Sequence, residues 1–485
     1  MNYKAVFNII GKVLLLVAAL MVLPAATALI YAEYRAAVSY VSVAVLSAAI
    51  GFVLSFLKPK DSIIYAKEGL VAVALAWIAV SVIGAIPFVV SGDIPNVVDA
   101  LFESVSGFTT TGATVVVVTE DLTHASLLWR ALAHFVGGMG VIVFVIAVVS
   151  RSPGRSMNIL RAEMPGPIVD KFVPKARDTA KILYMIYAGM TLVMTVMLLC
   201  GGMPLFDSIV HAISTAGTGG FGVKTSSIAT YNDYSQWVIA VFMLLFGVNF
   251  NVYYLIIIKK FSQAVKSSEL RCFLIIILVS TALIASNIYS QVGNLYTAIK
   301  NAFFQTTSYI STTGFTIADT SQWPTMSKTV LIVLMFIGGC AGSTAGGLKV
   351  SRLMIVFGKI GSELKKAVHP HKATIEKLEG KRLDEKTVTQ THSYFALYFV
   401  AFFAILLLVT FIEQFFTDFS FEANFAAVAS CFNNVGPIFD NVVGYGTFAN
   451  YSGLSKVLLT LAMLLGRLEI YPLLLTLAPS TWAKR

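Results

Sequence analysis

Ser106-Gly107-Phe108-Thr109-Thr110-Thr111-Gly112-Ala113-Thr114 lies between two apolar runs, and related stretches return three more times. They are Ser214-Thr215-Ala216-Gly217-Thr218-Gly219-Gly220-Phe221, Tyr309-Ile310-Ser311-Thr312-Thr313-Gly314-Phe315-Thr316 and Phe432-Asn433-Asn434-Val435-Gly436-Pro437. Each follows a short apolar run, and the central glycines read as Gly112, Gly219, Gly314 and Gly436. Glycine reaches left-handed backbone without steric cost, which a wall of successive carbonyls facing one axis requires. Four such walls suggest a ring of backbone carbonyls that replaces the water around a bare cation. The bland reading is four ordinary extracellular turns, since glycine marks turns everywhere.

The surroundings of these loops are those of a membrane protein. The chain of 485 residues is 57% hydrophobic and only 12% charged, with a mean hydropathy of +0.80. A soluble domain carries about twice that charge. Apolar runs of bilayer length recur throughout, without the ten-residue alternating segments of a β-barrel. The net charge of +10 is segregated. The loop segments 92–124, 202–236, 289–326 and 416–455 hold Lys224 and Lys300 alone as bases, whereas 58–68, 151–181, 259–271 and 349–386 hold 3, 7, 4 and 10. Positive charge kept to one side marks the cytoplasmic face, so the glycine loops enter from outside. That placement also argues against a nucleic-acid partner.

Two spans, near 9–31 and 37–57, precede the first loop. The apolar start is too long for a signal peptide and a second span follows at once, so it reads as a retained helix. A unit of span, short helix, glycine loop and span then repeats four times. The expected fold is all-α and polytopic, with an N-terminal helix pair in residues 1–60 and pore repeats in 61–150, 151–260, 261–358 and 359–485. Spans are expected near 69–91 and 125–149, 179–201 and 236–258, 271–289 and 327–355, and 393–415 and 454–478. Each unit crosses twice, so all four loops enter from one face and the repeats are parallel around an axis normal to the membrane. Backbone at membrane depth must face protein or water, and a central pore supplies both.

The flanking Thr110, Thr111, Thr218, Thr312 and Thr313 would add carbonyls, with hydroxyls pinning each loop from behind; Asn434 and Val435 take those places in the fourth wall. The short helices 97–105, 204–213, 295–307 and 421–431 would aim their negative C-terminal ends at the ring, which favours a cation. The acids Asp93, Asp99, Glu103, Glu120, Asp121, Asp207, Asp319, Asp418, Glu422 and Asp440 would concentrate cations at the mouth.

A second constellation, Gly338-Gly339-Cys340-Ala341-Gly342-Ser343-Thr344-Ala345-Gly346-Gly347, interrupts the last span of the third unit. Glycine costs a helix about 1 kcal/mol per residue relative to alanine, so a break is expected. It reads as a gate below the ring, or else as a close helix–helix contact through small residues. Arg467 lies inside the last span, where an arginine needs water or a partner. It reads as an electrostatic barrier in the pore, or as one half of an interhelical pair. Asn249, Asn251 and Lys349 are weaker candidates of the same kind. The polar stretch Gly358–His392 is a solvated connector or a docking surface for a soluble subunit. The cysteines Cys200, Cys272, Cys340 and Cys431 read as packing residues, and the histidines as structural. No nucleophile–base pair, P-loop or metal spacing appears, which leaves a membrane-embedded enzyme without a site.

At these residues the chain resembles the TrkH/TrkG/KtrB potassium uptake proteins, and within them the TrkH branch. The stretches that carry the resemblance are FESVSGFTTTGAT (102–114), WRALAHFVGGMGVIV (129–143), HAISTAGTGGF (211–221), QTTSYISTTGFT (305–316), FIGGCAGSTAGGLKV (336–350), FNNVGP (432–437) and LGRLEI (465–470). The resemblance implies a homodimer in the bacterial cytoplasmic (inner) membrane, surrounded by lipid, with a filter selective for K+ and Rb+ over Na+ in each copy. It implies a gate loop at Gly338–Gly347, Arg467 beneath the filter, and control by a cytoplasmic TrkA-like nucleotide-binding (RCK) subunit. It implies K+ as the transported ion, with no organic cofactor on this chain. Related plant transporters that pass Na+ have serine at the first central position, where this chain has Gly112. Gly217-Thr218 departs from the more apolar second loop of many relatives. An H+- or Na+-coupled K+ symporter is the alternative, although the spans offer no clear carboxylate relay.

Overall fold

The computed structural model describes residues 1–57, 66–140, 176–369, 377–417, 419–437 and 446–482. The helices are apolar and long. Tyr3–Ile30 and Tyr34–Ser55 form the N-terminal pair. They meet at two glycines: a Cβ added to Gly11 would stand 2.7 Å from Gly51 O, and one added to Gly51 would stand 2.8 Å from Gly11 O. Small residues let two apolar helices approach this closely without a hydrophobic driving force.

The first helices of the four repeats are Ala66–Ser91, Ala176–Cys200, Ser268–Val292 and Glu385–Glu413. Each leads to a short helix: Val97–Phe108, Leu205–Ala216, Leu295–Ile310 and Phe421–Asn433. These run two or three residues further into the glycine motifs than their apolar runs suggest. Asn96, Asn294 and Ser420 accept hydrogen bonds from backbone N–H groups of the first turn, which fixes where three of the four begin.

The second helices are where expectation and structure part. Interruption is expected in the third repeat alone. The structure also bends the second repeat by 91° between Asp233–Phe246 and Phe250–Ile257, and the fourth by 119° between Gly453–Arg467 and Tyr471–Leu477. In the third repeat Thr325–Ile337 ends at Gly338 and a new helix, Val350–Val368, begins after Lys349. The local causes differ. Asn249 caps the second half of its span through its side chain. Glu469 and Ile470 both have positive φ, and Pro472 sits in the first turn of the helix that follows. The first repeat's second helix is His124–Gly138, and the expected continuation to 149 lies outside the described residues. So do Asp418, Asp440 and most of the connector between 151 and 181.

Past the third repeat, Lys377–Leu378 and Lys381–Arg382 pair as a two-residue antiparallel hairpin in the cytoplasmic connector. The four cysteines are unpaired; Cys340 and Cys431 are buried.

Candidate functional site

The four glycine loops share one backbone design. The N–H groups of Thr111, Gly219, Thr313 and Val435 donate to the carbonyls of Ser106, Ser214, Ser308 and Ser430, at 2.9, 3.1, 2.9 and 2.9 Å. The residues before them, Thr110, Thr218, Thr312 and Asn434, are all left-handed, with φ between 54° and 56°. The residues after them are Gly112, Gly220, Gly314 and Gly436, with φ of 75°, 81°, 82° and 105°. Each is a helix C-terminus closed by a left-handed residue.

This alignment corrects the register of the second wall. Gly220, not Gly219, stands level with Gly112, Gly314 and Gly436. Gly219 occupies the place of Thr111, Thr313 and Val435, and its φ is not positive. Its glycine answers to space instead: an added Cβ would lie 2.2–2.4 Å from the His134 ring. Gly217 is confined in the same way, with His134 O 2.3 Å from an added Cβ. Gly217, the residue that sets this loop apart, and Gly219 are therefore both fitted to His134.

The walls meet in a closed cycle. A Cβ added to Gly112 would stand 1.8 Å from Gly219 O; to Gly220, 2.0 Å from Thr313 O; to Gly314, 2.0 Å from Val435 O; and to Gly436, 2.6 Å from Thr111 O. Each glycine thus packs on the carbonyl that precedes its neighbour's glycine, and the fourth wall returns to the first. Side chains brace the loops from behind. Asn434 Nδ2 donates to Thr111 Oγ1 at 2.9 Å and to Met463 O at 3.0 Å. Thr111 and Thr313 hydroxyls bond to Thr109 and Ser311 at 2.8 and 2.7 Å. The Thr218 hydroxyl donates to Gly217 O. Thr110 is the exception, since its buried hydroxyl has no hydrogen-bond partner among the described residues.

Under the ring lies the Gly338–Gly347 loop. Gly346 N donates to Thr312 Oγ1 at 2.6 Å, and an added Cβ there would stand 2.5 Å from Asn433 O. The loop is anchored to the break in the second repeat: Cys340 N donates to Gly247 O, Phe250 N to Gly342 O, and Thr344 Oγ1 to Phe246 O. Gly338, Gly342 and Gly347 have φ near 70°. Gly339 is pressed against Ala345, and Ser343 Oγ donates to Cys340 O. These are contacts of an ordered loop rather than a seam between two straight helices.

Arg467 joins that loop to the first repeat. Its guanidinium donates to Thr344 O at 3.0 Å, Gly137 O at 2.5 Å and Gly138 O at 2.8 Å. Glu469 lies past the helix end and pairs with Arg352 at 2.6 Å. Lys349 is buried, and its ammonium donates to Ala345 O. Asn249 spans from Asn251 N to the buried Glu269, which in turn accepts from Ala341 N at 2.7 Å. A cavity of about 60 Å³ opens below, bordered by Trp77, Gly346, Lys349, Arg467 and Glu469.

Several acids read as mouth charges have partners. Glu103 is fully buried and pairs with Arg130 at 2.8 Å, so it contributes nothing to the mouth. Asp99 pairs with Lys456 at 2.6 Å, and Asp207 accepts from Tyr231 at 2.8 Å. The sequence reading missed Gly220, His134 and the Glu103–Arg130 pair. Aligning the loops on Ser106, Ser214, Ser308 and Ser430, rather than on the most conspicuous glycine, yields the first of these.

Comparison with known proteins agrees with this architecture. The TrkH family profile, described as cation transport protein, matches residues 39–484. The potassium uptake protein TrkH of Salmonella typhimurium is 34% identical over 99% of this chain and 100% of its own length. TrkG of Escherichia coli is 32% identical over 99% of this chain and 99% of its own length. The crystal structure of the potassium transporter TrkH from Vibrio parahaemolyticus superposes with a TM-score of 0.87 at 30% identity, covering 100% of both chains. A multi-pass helical protein with this match along nearly its whole length belongs to the TrkH family of cation transport proteins.

Proposed function

We propose that the chain takes up K+ through the ring of four loops and that it passes Rb+ by the same route. It is a transporter, not an enzyme, of the bacterial cytoplasmic membrane. The observation that carries the reading is the closed cycle of glycine-on-carbonyl contacts. Left-handed residues on either side of Thr111, Gly219, Thr313 and Val435 alternate the sign of φ, which turns successive carbonyls toward one side. Carbonyl oxygens so gathered replace the hydration shell of an alkali ion.

The Gly338–Gly347 loop closes the path below, held by Arg467. A cytoplasmic nucleotide-binding subunit acts on it from the connector. Support comes from Glu379 in the connector hairpin, which accepts hydrogen bonds from Ser267 Oγ, Ser268 N and Glu269 N at 3.0, 3.2 and 2.9 Å. That carboxylate caps the helix whose Glu269 holds the gate loop at Ala341. A homodimer is the assembly we assign, with the exposed stripe Phe357, Ile360, Leu364 and Val368 on one face of Val350–Val368 as its candidate surface.

The test is radioactive Rb+ flux into liposomes holding purified protein, under a K+ gradient alone. Flux is expected without any H+ or Na+ gradient; flux that appears with such a gradient only would establish coupled symport instead. In the same assay Gly112→Ser should lower the preference for K+ over Na+ about tenfold, because its Cβ displaces the carbonyl of Gly219. An unchanged preference would remove Gly112 from the ion path. Glu379→Ala should raise basal flux, and unchanged flux with and without the cytoplasmic subunit would disconnect the hairpin from the gate.

A further inference from the structure

The first wall differs from the other three in what stands behind it. Three residues ahead of the anchoring serines lie Glu103, His211, Gln305 and Ala427, one in each repeat and all fully buried. The same position therefore carries a carboxylate, an imidazole, an amide and a methyl group. His211 Nδ1 stays within its own helix, 2.7 Å from Asp207 O. Gln305 Nε2 reaches Ala318 O at 3.4 Å. Glu103 alone of the four enters an ion pair: Nε of Arg130 donates to Oε1 at 2.8 Å, and Nη2 lies equally close.

This pair grips the outer ends of two walls. Glu103 accepts from Thr114 Oγ1 at 2.9 Å and from Val115 N at 3.0 Å, and Arg130 Nη2 donates to Thr114 Oγ1 at 3.2 Å. Thr114 is two residues beyond Gly112, and its carbonyl accepts from Phe448 N of the fourth repeat at 2.8 Å. On its other face the guanidinium lies 4.0 Å above the ring of Phe221, the residue after Gly220. Phe221 also stacks on His134 at 4.3 Å and donates its N–H to His134 Nε2 at 3.3 Å. With Nε2 accepting, Nδ1 carries the proton and donates to Gly107 O at 2.7 Å. Charges, ring and amide form one continuous brace from the first wall to the second.

A buried ion pair adds little to folding stability, and replacing both partners by uncharged groups is often neutral. What such a pair does supply is fixed geometry. In the snug-fit account of selectivity, the smaller ion is rejected by walls that do not follow it inward. We propose that Glu103 and Arg130 are positioning residues that set the preference for K+ over Na+ by holding the first and second walls apart. The proposal rests on the reading of the ring as the ion filter.

The experiment measures Rb+ uptake into liposomes in competition with Na+ or K+, on full-length Thr114→Val, Glu103→Gln and the double variant Glu103→Gln with Arg130→Gln. Thr114→Val leaves both charges in place and removes the hydroxyl through which both hold the wall, leaving the Val115 N–H bond to Glu103 alone; Na+ is expected to compete about tenfold better. Glu103→Gln leaves the guanidinium uncompensated and should lose both folded yield and selectivity. The double variant should regain yield and thermal stability while its selectivity stays low, which a merely structural pair would not do. If Glu103→Gln does not fold, the other two variants decide. Wild-type selectivity in Thr114→Val and in the double variant overturns the proposal. Gly112→Ser runs alongside: a shift there without a shift here defeats the brace alone, and no shift in either defeats the filter reading itself.

Discussion

Gly220→Ala is expected to abolish the preference for Rb+ over Na+ in liposome flux. Two costs combine at this position. A residue with a side chain loses about 1–2 kcal/mol in left-handed backbone, and Gly220 has φ of 81°. Its Cβ would also stand 2.0 Å from Thr313 O, a backbone atom of the third wall with no flexible end to yield. The carbonyl must move, and it is one that lines the cycle. Gly219→Ala makes the informative contrast. Its obstacle is the His134 ring, so adding His134→Ala should restore Rb+ flux to that variant and restore nothing to Gly220→Ala. A monodisperse Gly220→Ala protein with wild-type selectivity would return the second wall to the register read from sequence.

Arg467→Gln should raise flux by an order of magnitude or more. The arginine makes three hydrogen bonds to carbonyls, one on the Gly338–Gly347 loop and two on the first repeat. A hydrogen bond to a charged group contributes about 1.5–3 kcal/mol. Loss of one that exists in the closed arrangement alone shifts the balance about tenfold, since each 1.4 kcal/mol is a factor of ten. Deleting residues within Gly338–Gly347 should act in the same direction. Rates equal to wild type in a well-folded Arg467→Gln protein would mean that something other than this residue keeps the path shut.

Much of the site was legible because its backbone leaves a mark on composition. A left-handed turn after each short helix calls for glycine, and four such turns between paired apolar spans give the repeat and the ring. The second wall misled because its two adjacent glycines serve different needs. Gly220 is required by its torsion angle and Gly219 by the volume of His134, and a sequence does not distinguish the two. The bend in the fourth repeat was illegible for another reason. Leu468, Glu469 and Ile470 are acceptable helix residues, no glycine run marks the spot, and Pro472 fits the first turn of a helix, so it does not by itself place a break. Around the break Arg467 donates to Gly137 O, 330 residues away, and Glu469 pairs with Arg352, 117 residues away, partners no local pattern reveals. Glu103 read as a surface acid because charge alone says nothing of burial, and its partner Arg130 lies in the following span.

All four walls sit on one polypeptide, and no two have the same residues at their backs. In a pore assembled from identical subunits, any substitution is imposed on every side at once. Here a substitution is made in one quadrant, and it reaches the next through the single carbonyl its glycine packs against. On the proposed reading of the ring, ion preference is therefore open to change one side at a time rather than on every side at once.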